Sequence, residues 1–142
     1  MKEIKGQFGQ TFVMGKRIAD LNEQMEYLRY KLTGPTGGGH NHLGVQQSRN
    51  HTASEDLLIK ILSIEEELAK AKNTLLQLES QIRQKGLNLP PLQRSIITLR
   101  YICRKMWQDI ACDIEMSEMQ ILRLHNTALK SIAGANNVRP CT

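Results

Sequence analysis

From Met14 to Ile82 apolar side chains recur at alternating spacings of four and three residues, in two runs. Met14, Ile18, Leu21, Met25, Leu28 and Leu32 form the first, and Leu57, Ile61, Ile64, Leu68, Ala71, Leu75, Leu78 and Ile82 the second. A period of 3.5 places these residues on one stripe of a helix, which predicts two coiled-coil helices. Thr52 with Glu55 reads as a capping box, and Gly86 after Arg83 and Lys85 reads as a stop, so the second helix is expected over about 53–85. The first is expected over about 14–32, with the Gly6 and Gly9 segment before it frayed. Residues 33–52 show no period and are rich in Gly, His and Asn, as in a flexible loop.

At 1.5 Å per residue the second helix would be about 50 Å long and the first about 28 Å. A simple hairpin would leave part of the longer seam bare. Two solutions are open: a homodimer through the coiled coil, which is expected, or an intramolecular hairpin packed on the C-terminal part.

Beyond residue 88 the period shifts. Residues 89–133 predict three short helices, the last two joined by a tight turn, with Ile110, Ala111, Ile114, Met116, Ile121 and Leu124 where the two must touch. Helices that cross steeply over a short turn approach closely only where one side chain is small, and Ala111 fills that position. Trp107 lies on the same face, and Cys103 is read as a core residue. Ser117 and Gln120 form a second capping box, with Met116 and Ile121 able to act as a hydrophobic staple. The last helix therefore starts at Ser117.

At about 100° per residue, Ile121, Leu124, His125, Ala128 and Ile132 share one stripe of that helix. Met119, Arg123, Asn126 and Lys130 lie opposite, flanked by Gln120 and Thr127. Such a polar face suits a DNA major groove, where Arg pairs with guanine and Gln or Asn with adenine. Gln120 and Arg123 are the preferred base readers. Asn126, Thr127 and Lys130, with Arg104 and Lys105 in the preceding loop, are placed on phosphates. Ser117 and Met119 complete the expected DNA-binding set, while His125 is expected to be packed and hydrogen-bonded.

The motifs LPPLQR, LRY, WQDIA, MSEMQI and RLHNTALK together resemble region 4 of bacterial sigma-70-type factors. They are most similar to small sigma-region-4-like proteins of phages and prophages in Gram-positive bacteria, which pair an N-terminal coiled coil with this module. The resemblance is specific over the last third of the chain and only a general layout elsewhere. It implies a recognition helix over Ser117–Ser131 reading a promoter-proximal site, with host RNA polymerase as a second partner. Two positions depart from the family pattern. Glu115 stands where the turn usually has glycine, so a non-glycine residue must turn left-handed or the turn must differ. The aromatic-rich promoter-melting region is missing, so a free-standing sigma factor is not expected.

Composition adjusts this reading little. Hydrophobic content of 40 % with only 4 % aromatic residues suits bundles and coiled coils. The net charge of +5 and pI near 9.3 are compatible with nucleic acid without requiring it. No run approaches the roughly 20 apolar residues of a membrane span, and no signal-peptide core is present, so a cytoplasmic protein without a membrane partner is expected. Cys103, Cys112 and Cys141 have neither metal-site spacing nor an even number.

His40, His42 and His51 are read as polar linker residues, because no carboxylate or thiol lies beside them to complete a metal site. No metal or other cofactor is expected. Nor is an enzyme: no phosphate-cradling loop and no HExxH occur, and Glu65 and Glu66 fall on an outer helix face. The expectation is an all-α regulator of phage or prophage type that binds double-stranded DNA. Two alternatives remain, an RNA polymerase-binding adaptor without DNA readout and a small terminase-like packaging subunit.

Overall fold

The computed structural model describes the backbone of residues 2–33 and 44–137, and the side chains of residues 2–33 and 53–135. The described residues are all-α. Helix α1 is Lys2–Thr33 and α2 is Gly44–Lys85; α3, Pro91–Ile97, runs into a wide helical turn over Thr98–Ile102, followed by α4, Trp107–Ile114, and α5, Glu118–Asn137. The chain divides into two compact units. One combines Met1–Met14 with Thr74–Thr142, and the other is Gly15–Asn73.

Within Gly15–Asn73 the middle of α1 lies beside α2. Leu21, Met25, Ile61 and Ala71 are buried, while Ile18, Leu28, Leu57, Ile64 and Leu68 are half-buried. Arg17 pairs with Glu67 at 3.6 Å, and Tyr27 and Leu28 share a shallow recess with Lys60 and Ile64. Partners thus descend along α2 as α1 ascends, so the two helices run antiparallel.

Three expectations are corrected in this region. Helix α1 begins at Lys2, not near Met14, because Ile4, Phe8 and Thr11 are buried. Helix α2 begins at Gly44, so Thr52 and Glu55 fall inside a helix and do not cap its start. Of the expected loop 33–52, Thr33 closes α1 and residues 44–52 are helical, while residues 34–43 lie outside the described residues. With α1 at 32 residues, about 48 Å, every seam position from Leu57 to Ile82 is buried or half-buried within the chain. The shortfall that favoured a second copy along this seam does not exist.

The other unit has two apolar clusters. One joins Ile4 and Phe8 to Ile82, Leu89, Ile97, Tyr101, Ala128, Leu129 and Ile132. The first turns of α1 and the last turns of α2 therefore form part of the core against which α5 packs. The second joins Ile96, Ile110 and Ile121, with Leu99, Trp107, Ala111, Ile114, Met116 and Leu124 around them. Gly86 donates its amide to the Ile82 carbonyl at 3.0 Å and α2 ends at Lys85, as its stop signal predicts. Cys103 is exposed, not in the core: it follows the wide turn, closed by its own amide on the Thr98 carbonyl at 3.0 Å, which carries its side chain outward.

Candidate nucleic-acid interface

Helices α4 and α5 are joined by three residues, Glu115, Met116 and Ser117. Ile110 and Ile121 are fully buried, and Ala111 is half-buried in the same cluster. Glu115 adopts φ 62° and ψ 46°, a left-handed conformation, and donates its amide to the Ala111 carbonyl. The glycine position of the turn is thus occupied by a glutamate held left-handed, at a cost of about 1 kcal/mol. Arg104, with φ 55°, is the other described non-glycine residue of this kind.

The start of α5 is capped from both sides. The Ser117 amide donates to Gln120 Oε1 at 3.2 Å, and the Gln120 amide donates to Ser117 Oγ at 3.2 Å. Two backbone donors that a helix N-terminus leaves free are thereby satisfied. The same geometry occupies the Gln120 side chain, because its amide oxygen also accepts from the Ser117 hydroxyl at 3.2 Å. A Gln needs both its oxygen and its nitrogen to recognise adenine in a bidentate manner. Ser117 and Gln120 are thus committed to the helix cap in this conformation.

Met119, Arg123, Asn126, Thr127 and Lys130 are all exposed on α5. Arg123 lies along Met119, its Nη2 3.7 Å from the sulfur, and Thr127 donates its hydroxyl to the Arg123 carbonyl at 2.9 Å. Leu122 joins this face at 38 % exposure, and Met119 stands at 64 %. Leu122 was not among the expected site residues; its position one turn from Asn126 and Glu118 was the signal available. The α5 helix continues to Asn137, beyond the expected Ser131, since Ile132 and Ala133 still pack on the core.

Arg104 and Lys105 are placed in the loop before α4, as expected, but both are paired. Arg104 lies 3.6 Å from Glu79 of α2, whose side chain is largely covered. Lys105 pairs with Asp113 of α4, and that hydrogen bond raises its pKa. Either residue would have to exchange a carboxylate for a phosphate to serve as a DNA contact.

Beneath the exposed face lies a polar knot. The Tyr101 hydroxyl and His125 Nε2 share a hydrogen bond of 2.6 Å, with both side chains buried. Trp107 meets the His125 ring edge-on at 4.7 Å, and Phe8 meets Tyr101 at 5.3 Å. Burial lowers the His125 pKa to about 4. Burial likewise pushes Tyr101 up to about 12, so both groups stay neutral near pH 7. The Arg100 guanidinium faces both Phe12, at 4.6 Å, and Trp107, at 4.4 Å, and donates to the Lys105 carbonyl at 2.9 Å. Burial lowers its pKa. Arg100 therefore acts as a cationic brace inside the unit, a role the sequence did not reveal.

The described side chains hold no cluster of three metal-ligating groups. His40, His42 and His51 lie outside them. No described helix is long and apolar enough to cross a membrane. The chain matches none of the protein-family models, curated proteins or solved structures with which it was compared.

Proposed function

We propose that this chain is a sequence-reading DNA-binding regulator of phage or prophage type, with α4, the Glu115–Ser117 turn and α5 as its helix-turn-helix. The observation that carries this reading is the arrangement of α5. Its Ile121, His125, Ala128, Leu129 and Ile132 are buried, while Arg123, Asn126 and Lys130 stand on the open side. The resemblance of residues 89–132 to sigma region 4 supports the same face. Arg123 takes the role of guanine reader and Asn126 that of adenine reader, since Gln120 is held by the cap. Lys130 and Thr127 position the helix on phosphates.

Among the described residues few free cations serve this face, so the electrostatic share of affinity they supply is small. Two to four phosphate contacts per copy give a slope of log K against log salt of roughly −2 to −4. Two copies on two half-sites would roughly double the free energy available, which makes a homodimer part of the proposal. Action would be stoichiometric, by recruiting or repositioning host RNA polymerase near a promoter in the cytoplasm.

The adaptor reading has one observation in its favour: Met119 and Met106 are 64 % and 69 % exposed, as protein-binding surfaces often are. Selection of bound genomic fragments by purified protein at about 150 mM salt, beside Arg123→Ala, separates the two. Enrichment of one promoter-proximal site that the variant loses supports DNA readout. Absence of enrichment, with retention of RNA polymerase on the immobilised protein, supports the adaptor.

A further inference from the structure

Helix α2 carries a second stripe besides its seam. Leu58, Leu62, Glu65, Ala69, Lys72 and Leu76 follow one another at spacings of four, three, four, three and four. At 100° per residue they occupy an arc about 80° wide, centred roughly 110° round the helix from the seam that faces α1. Leu58, Leu62 and Leu76 are 47 %, 63 % and 62 % exposed, and Ala69 and Lys72 are exposed as well. The seam is covered by α1; this stripe is not. Glu65 sits within it with its side chain about half exposed, one oxygen 3.3 Å from Arg29.

We infer that this stripe is a self-complementary surface that binds a second copy of the chain, with the two α2 helices antiparallel about a two-fold axis near Ala69. The occupant follows from the order of charges and leucines. An antiparallel axis at Ala69 sets Leu62 level with Leu76 of the partner subunit, and Leu76 level with the partner's Leu62. It also brings Glu65 within one residue of the partner's Lys72, and Lys72 within one residue of the partner's Glu65. Ala69 at the axis lets the backbones approach. A parallel pair would instead set Glu65 on Glu65 of the partner subunit and Lys72 on the partner's Lys72, and like charges facing each other across a helix pair are unfavourable. A closed two-fold surface of this kind is the commonest way soluble chains dimerise. The inference does not rest on DNA binding, since the stripe shares no residue with the face of α5.

The test uses the full chain. Sedimentation analysis over a concentration series is expected to show a monomer–dimer equilibrium. Glu65→Lys and Lys72→Glu each place like charges at both contacts and are expected to weaken self-association about tenfold or more. An equimolar mixture of the two variants re-forms opposite-charge pairs and is expected to restore the dimer. Should either exchange disturb the fold, as read by circular dichroism, Leu62→Gln probes the same surface at an exposed site and is expected to weaken the dimer too. A wild-type chain that stays monomeric at every concentration overturns the inference. So does a dimer that none of these variants weakens, or a mixture that fails to re-associate when both variants are folded.

Discussion

Tyr101→Phe removes one oxygen atom from the centre of the C-terminal unit and little else. The ring contacts to Phe8 at 5.3 Å and Phe12 at 6.3 Å survive, and the volume lost is too small to leave a cavity that counts. What changes is His125: its Nε2, at present 2.6 Å from the hydroxyl, is left buried without that partner in a side chain only 1 % exposed. An unsatisfied buried polar group costs about 1 to 3 kcal/mol. For a chain of this size that corresponds to a fall in melting temperature of roughly 3 to 10 °C, measurable by calorimetry or circular dichroism at pH 7.5. Replacing both partners, as in Tyr101→Phe with His125→Leu, removes the mismatch, so the double variant is expected to lose less than the sum of the singles by about 1 kcal/mol or more. A Tyr101→Phe melting temperature indistinguishable from wild type, or strict additivity in the cycle, would refute the view that this pair pins α5.

The same histidine sets a pH dependence. Its folded pKa of about 4 lies below the usual 6.5 or so, so above pH 6.5 both states are neutral and its contribution is complete. As pH falls from about 6.5 towards 4 the unfolded chain takes up the proton first, and stability is expected to drop by at most about 1.4 kcal/mol per pH unit; denaturant titrations should show this, with a smaller slope in His125→Leu. Glu115→Gly relieves the left-handed backbone at φ 62° and is expected to stabilise by up to about 1 kcal/mol, less the extra chain entropy of glycine. A loss of stability would count against strain at this turn. Phe8→Ala is expected to cost about 3 to 5 kcal/mol, because Phe8 is 2 % exposed in the core that includes Tyr101 and Leu129. The opposite result, little change in thermal stability, is what a frayed N-terminus would give.

The helical seams and the start of α5 were legible from spacing and capping chemistry; at Glu115 the sequence left open a left-handed residue or a different turn, and the backbone takes the first course. The beginning of α1 was not legible. Carried back in register from Ile18 and Met14, the seam passes Thr11, Gln7 and Ile4, so two of these three positions are polar, Phe8 falls one residue off the period, and the pattern fades. Thr11 fits the core because its hydroxyl donates to the Phe8 carbonyl at 3.0 Å, a local solution that no hydropathy pattern displays. The first turns of α2 were hidden for a related reason: Gln46, Gln47, Ser48 and Asn50 carry no apolar rhythm. Gln120 shows another limit, since the Ser117 pattern is a capping box and the same side chain looks like a base reader. One amide oxygen serves the cap here. Ion pairing at Arg104 and Lys105 was equally invisible, because Glu79 is 25 residues away in sequence and only folding brings it near.

These points change what the resemblance to sigma region 4 means for this chain. The similar residues lie in the last third, yet the compact unit that contains them also includes the first fourteen residues and the end of α2. Ile4 and Phe8 pack with Tyr101, and Tyr101 holds His125 on the buried side of α5. The direction in which Arg123 and Asn126 face is therefore fixed partly by side chains more than ninety residues upstream. A module cut at residue 89 would expose Ile97, Tyr101, Ala128, Leu129 and Ile132 where α1 and α2 now cover them. Its failure to bind DNA would then report a broken core and say nothing against the face of α5, whereas Arg123→Ala in the full chain addresses that face directly.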